Sequence, residues 1–233
     1  MNSSEKFYTE NLYPLQDGVL KIVRDLKIPF YLTGGTALSR FLFNHRYSDD
    51  LDFFVNDNPE FLSFVKRFME AVREQSQNSL ITIDIAKTVT SARFVQLILQ
   101  KDKIKLKVDF VNDISTHFGD VLVDSEFGFI DNWANILTNK LSAIFRFETK
   151  DIVDIWVISK NFKFNWGVMM EYALQKEATI NPIEVYNILK TFPTKNLSLI
   201  RWVQEPDYGG VEFDLNVIAE DLLYGKDNSL CRE

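Results

Sequence analysis

Two runs near the middle of the chain, ARFVQLILQ and KIKLKVDFVN, alternate apolar and polar residues with a period of two and are joined by a charged turn, KDK. Alternation of this kind puts successive side chains on opposite faces of a strand, so both runs belong in a sheet with one buried and one wetter face. With LITIDIAKT upstream they predict a meander of consecutive strands. In the second run Ile104, Leu106, Val108 and Phe110 share the core face, while Lys103, Lys105, Lys107 and Asp109 share the other.

Around that sheet the first half interleaves periods. GVLKIVRDLKI reads as a helix, PFYLT as a short buried strand, TALSRFLFNH as a helix with Leu38, Phe41 and Leu42 at helical spacing, and DLDFFV as a strand. A further helix follows Asn58 as cap and Pro59 as first helical residue, ending near Gln75. After about Gly128 the spacing becomes helical throughout, and Asn181, Pro182 and Glu184 form a capping-box-like start to one of these segments. No linker or low-complexity run intervenes. The expectation is an α/β (α+β) domain over residues 1–128 packed onto a helical bundle domain over residues 129–233.

Three features carry chemistry. Gly34 and Gly35 lie between a predicted strand and a predicted helix, where bare backbone can bend sharply and amides at a helix start can face an anion, with the Thr36 hydroxyl beside them. That turn reads either as a phosphate cradle or as an ordinary tight turn. Asp50 and Asp52, two apart on a predicted strand, share one face, and such carboxylates repel unless a cation lies between them. Hard oxygen donors of this kind suit Mg²⁺, the alternative being a solvated acidic strand end. Asp49 faces the other way and is left out. Asp109 joins the pair if Val108 and Phe110 cover the same core as Leu51 and Phe53; the lysines beside it are then either a basic path toward the acids or a solvated edge. In the helical half, Lys140, Asp151 and Asp154 fall on one stripe if NKLSAIFRFETKDIVDIW is one helix, unless Thr149 caps a new one; a solvated face of local ion pairs is the other reading.

Composition removes several classes. A net charge of −7 argues against a protein that coats nucleic acid unspecifically. Cys231 is the single cysteine, so no internal disulfide forms, and His45 and His117, the two histidines, do not make a zinc ligand set or a nucleophilic triad. MNSSEKFYTE lacks the pattern of a signal peptide and no apolar run is long enough to span a bilayer, so a cytoplasmic protein without membrane association is expected.

Taken in order, GGTAL, HRYSDDLDFF, KVDF and NKLSAIFRFETKDIVDIW resemble the nucleotidyltransferase toxins of the AbiEii/AbiGii type, polymerase β-like transferases of toxin–antitoxin and phage-defence systems. The resemblance runs from about Tyr31 to Ile158. It implies a small mixed sheet with flanking helices followed by a helical bundle. It also implies an enzyme using Mg²⁺ or Mn²⁺ to move a nucleotidyl group from an NTP to a hydroxyl, either at the 3′ end of a tRNA or on a protein. By that likeness Gly34, Gly35 and Thr36 grip phosphate, Asp50, Asp52 and Asp109 bind metal, and Lys140 and Asp154 contact nucleotide with Arg46 and Ser48 in support. A cognate antitoxin is the implied partner. A nucleotide-binding protein without turnover, acting through partner binding, is the competing expectation.

Overall fold

The computed structural model describes residues 3–79 and 81–231. The chain forms two compact units, Met1–Leu42 with Tyr47–Asn132, and Phe43–Arg46 with Trp133–Glu233.

The first unit is built on a mixed sheet. Its strands are β1 (Tyr31–Thr33), β2 (Leu51–Asn56), β3 (Thr82–Ile83), β4 (Val89–Thr90), β5 (Phe94–Lys101), β6 (Ile104–Asp113), β7 (Leu122–Asp124) and β8 (Gly128–Ile130). Their order is β3-β5-β6-β2-β1-β8-β7, with β4 also on β5. The alternating runs become the β5–β6 hairpin, turned at Asp102 in the left-handed conformation (φ 54°). β2 lies parallel to β6 and antiparallel to β1. The helices of this unit are α1 (Ser3–Phe7), α2 (Tyr13–Asp25), α3 (Gly34–Thr36, continued as a π-helical segment Ala37–Phe43 whose last residue groups with the second unit) and α4 (Phe61–Ser79).

Leu51, Phe53 and Val55 of β2, Val95, Leu97 and Leu99 of β5, and Leu106, Val108 and Phe110 of β6 are all buried, as period two requires of one face. Phe110 is the hub, with ring centroids of Phe30, Phe68 and Phe53 at 4.9, 5.0 and 5.5 Å. Each fully buried ring of this kind contributes about 1.5–3 kcal/mol.

Several boundaries differ from expectation. LITIDIAKT is not one strand: Leu80 lies outside the described residues, and a single 3₁₀ turn at Ile85–Lys87 divides β3 from β4. Ile85 and Val89 are exposed there, so no core contact enforces the alternation. Asn58 closes a turn, its side chain accepting from the Glu60 amide, and the helix begins only at Phe61 and runs to Ser79. The β7–β8 hairpin has strands too short for a period to show.

The second unit is helical: α5 (Trp133–Ser142), α6 (Thr149–Asn161), α7 (Trp166–Lys176), α8 (Pro182–Lys190) and α9 (Tyr208–Leu223). Asn181 caps α8 by accepting from the Ile183 amide, and Asp207 caps α9 through the amides of Gly209 and Gly210. Residues Asp151 to Ser159 of α6 are all buried, which makes α6 the central helix of the unit. Phe147, left-handed at φ 56°, breaks the chain between α5 and α6, so the single continuous helix is not formed; Thr149 is the first residue of α6 and Glu148 its cap position.

Candidate active site

In the first unit the register of β2 and β6 decides the geometry. Leu51 pairs with Val108, Asp52 with Asp109 and Phe53 with Phe110, so the apolar partners enter the core together and both acids leave on the opposite face. Asp50 precedes β2, in the segment between Ser48 and Leu51.

β1 brings the glycine turn to the same place, because Thr33 pairs with Asp52 and Gly34 follows at φ +67°. A Cβ on Gly34 would lie 2.7 Å from Asp52 Oδ2. Glycine is therefore required twice over, by the left-handed backbone and by the carboxylate against it. Gly35 and Thr36 are buried. The Thr36 hydroxyl lies 2.8 Å from Ser48 Oγ and is also bonded to the Asp50 carbonyl, so Thr36 and Ser48 fasten the segment carrying Asp50 to the start of the helix. Asp49, left out of the site by sequence, accepts from the Tyr8 hydroxyl.

Lys107 is the residue that sequence reading placed differently. It was expected in a basic strip with Lys103 and Lys105, which are exposed. Its ammonium instead lies 3.0 Å from Asp50 Oδ2 and 3.2 Å from Asp109 Oδ2. A spacing of two on β6 puts it on the Asp109 face, and the Asp50 segment supplies the second acid. Burial alone would lower the Lys107 pKa, but the Asp50 charge and then Asp109 outweigh it and hold the ammonium well above the usual lysine range. The other Asp109 oxygen, Oδ1, accepts from Gln96 Nε2 at 3.0 Å.

Carboxylate oxygens suit a hard divalent cation in kind, and two of the three acids, Asp50 and Asp109, flank a position where a positive charge is already held, with Asp52 the register partner of Asp109. Among the described residues, however, no group of three or more His, Cys, Asp or Glu side chains stands ready to hold a metal ion. Asp50 shares an oxygen with Lys107, and Asp109 shares its two with Lys107 and Gln96.

The second unit holds the remaining candidates. Asp154, fully buried, takes Arg46 in a two-pronged pair, Nε to Oδ1 at 2.9 Å and a terminal nitrogen to Oδ2 at 2.8 Å. Lys140 bridges Asp151 at 2.6 Å and Asp154 at 2.8 Å, and Arg146 reaches the second oxygen of Asp151 at 2.9 Å. His45 Nε2 lies 3.0 Å from Asp154 Oδ1, while its buried Nδ1 has no partner.

Desolvation would raise the Asp154 pKa, but Arg46 and Lys140 overcome it and keep the carboxyl well below its ordinary value. For Lys140 burial pulls down and Asp154 with Asp151 pull up, leaving it raised. Burial lowers the His45 pKa against the opposing pull of Asp154. Lys140, Asp151 and Asp154 thus do come together, through a break between two helices rather than along one stripe. They form a buried ion cluster, not a solvated face. A cleft of about 460 Å³ lies beside it in this unit, lined by His45, Trp156, Lys160 and Trp202 among others.

Sequence reading put Lys107 on the Asp109 face without singling it out as the partner of two acids, and it gave no site role to Gln96 or His45. The i, i+2 relation of Lys107 to Asp109 was the available signal for the first; the β5 register and the burial of His45 had none.

Comparison with known proteins agrees with this architecture. The family model described as nucleotidyl transferase AbiEii toxin, type IV toxin–antitoxin system, matches residues 21–204. Two crystal structures from Helicobacter pylori are similar in fold. A candidate nucleotidyltransferase has a TM-score of 0.57 at 18% identity, covering 90% of this chain and 94% of that one. JHP933 has a TM-score of 0.57 at 19% identity, covering 92% and 91%. No curated protein matches the chain.

Proposed function

This chain belongs to the AbiEii family of nucleotidyl transferase toxins of type IV toxin–antitoxin systems, and from that premise we propose that it transfers a nucleotidyl group from an NTP to a hydroxyl acceptor with Mg²⁺ or Mn²⁺ bound by its acids. It is a nucleotidyltransferase of the polymerase β-like kind, a mixed-sheet unit followed by a helical bundle. The observation that carries the mechanism is the register of Asp52 against Asp109, with Asp50 joined to Asp109 through Lys107 and Gly34 bare beside Asp52.

Asp50, Asp52 and Asp109 would hold the cation, which when bound neutralises the triphosphate and stabilises departing pyrophosphate. The residues themselves do the rest. Gly34, lacking a side chain, lets phosphate approach the turn closely, with Gly35 continuing the backbone there. Thr36 and Ser48 keep the Asp50 segment fixed against that turn. The acceptor oxygen attacks the α-phosphorus, a new P–O bond forms as the bond to the pyrophosphate oxygen breaks, and Asp109 takes the hydroxyl proton. Lys140, Asp154 and Arg46 form an electrostatically fixed cluster within the second unit.

The acceptor proposed is the 3′ end of a tRNA, for which exposed Lys103 and Lys105 offer phosphate contacts, and a cognate antitoxin is the proposed partner. No helix among the described residues is long and apolar enough to cross a membrane. Incubation with each labelled NTP and either total tRNA or cell extract tests the reading. Label should enter tRNA with the wild type and be lost with Asp50→Ala. Label appearing in protein without tRNA overturns the acceptor, and an undiminished Asp50→Ala overturns the site.

A further inference from the structure

Lys107 stands where the proposed reaction needs a different cation. Its position is fixed from two sides, by the two-residue spacing from Asp109 on β6 and by Asp50 from the segment before β2. The ammonium holds one oxygen of each acid, at 3.0 and 3.2 Å, and Gln96 holds the second oxygen of Asp109. Both Asp109 oxygens are therefore engaged by the protein itself.

We propose that Lys107 is a displaceable resident cation: its ammonium holds the place between Asp50 and Asp109 in the nucleotide-free enzyme, and a divalent ion enters only by pushing it out. The inference rests on reading these acids as metal ligands. A divalent ion needs carboxylate oxygens at about 2.1 Å, and oxygens that already hold an ammonium cannot accept it without two like charges being pressed together. Lysine suits the role of a removable charge, being a compact ammonium on a flexible four-carbon stem. Once displaced, that same stem leaves the charge beside the acids, where phosphate oxygens of an incoming triphosphate can receive it. Metal then loads together with nucleotide rather than ahead of it. In the meantime Lys107 keeps neighbouring carboxylates from repelling each other.

The experiment is a Mn²⁺ titration of nucleotide-free protein, free ion being read by its paramagnetic resonance signal. Lys107→Met and Lys107→Gln should bind Mn²⁺ at least tenfold more tightly than the wild type, and Asp50→Asn should lose binding. If Asp50→Asn loses binding while both Lys107 variants match the wild type, the acids bind metal but Lys107 does not compete, and the inference falls alone. Equal Mn²⁺ binding by wild type, Lys107→Met and Asp50→Asn removes the metal-ligand reading and the inference with it. A measurement on the wild type guards against variants that fail to fold. Acylation of Lys107 by an amine-reactive ester, followed by peptide mass spectrometry, should rise several-fold with Mn²⁺ while exposed Lys105 stays constant. No rise at saturating Mn²⁺ overturns the proposal.

Discussion

Asp52 and Asp109 are register partners in the parallel β2–β6 ladder, and the Cα of Gly34 lies against the first of them so closely that a methyl group there would touch Oδ2. Strand pairing, a property of the backbone, thus sets the distance between two acids far apart in sequence. The side chains around them, Gln96 and Lys107, are arranged to hold Asp109 once it is there.

Replacing Asp52 by Asn keeps the shape and removes the charge. Transfer of label from NTP should drop on the order of a hundredfold or more, as for loss of one electrostatic element of a transition-state site. The thermal midpoint should change far less than the rate, because Asn keeps the size of the side chain and its hydrogen-bonding reach. Single-turnover rates with a parallel melting curve check both statements. A variant that melts early and loses activity in proportion would point to a fold role instead.

Gly34→Ala should damage both stability and rate. A left-handed alanine costs about 1–2 kcal/mol in strain, and its Cβ, 2.7 Å from Asp52 Oδ2, forces the carboxylate to move. For a chain of this length each kcal/mol lowers the melting midpoint by roughly 2–4 °C. Calorimetry together with the transfer rate reads the effect, and an alanine variant as stable and active as the wild type would contradict the geometry.

Asp154→Ala removes from the interior of the second unit the carboxylate that Arg46 and Lys140 share. Breaking one side of a buried ion cluster typically costs about 3–5 kcal/mol, so the urea midpoint should fall markedly. Asp25→Ala, which removes the exposed partner of Lys21, is the matched surface control and should leave it unchanged.

Acidification should weaken the fold through His45 before it reaches the carboxylates. Around its ring are Asp154 from α6, Lys140 from α5 and the adjacent Arg46. Burial leads in lowering its pKa, so the folded state favours the neutral ring. Below the unfolded value of about 6.5 the unfolded chain takes up a proton that the folded chain refuses. Stability contributed by the neutral ring is thus present above pH about 6.5 and declines as the pH falls toward 5. Asp154, whose folded pKa is also depressed, adds its loss only below the ordinary carboxylate range near pH 4. Lys140 has a raised pKa and stabilises until the pH climbs beyond the ordinary lysine value. Urea midpoints between pH 7 and 5 should decline less for His45→Gln than for the wild type.

Much of this was legible in the sequence because one face of the sheet is buried. Alternation along KIKLKVDFV and DLDFF fixes which side chains enter the core, and that alone sends Asp52 and Asp109 outward together. Capping chemistry likewise announced the start of α8 at Asn181. What stayed hidden depends on pairing between distant segments. Nothing local says that Gln96 will face Asp109, that Asp50 will join Lys107 from the segment before β2, or that residues Asp151 to Ser159 of α6 will all be buried. The helix break at Phe147 was equally silent, since an exposed phenylalanine in the left-handed conformation carries no compositional mark.

Four residues, Phe43–Arg46, group with the second unit although the chain on either side of them belongs to the first. A polypeptide begun at Trp133 would therefore carry Asp154 and Lys140 but neither Arg46 nor His45, and the interior acid would lose its two-pronged counter-charge. Excising the helical part at the visible boundary cannot yield a faithful module.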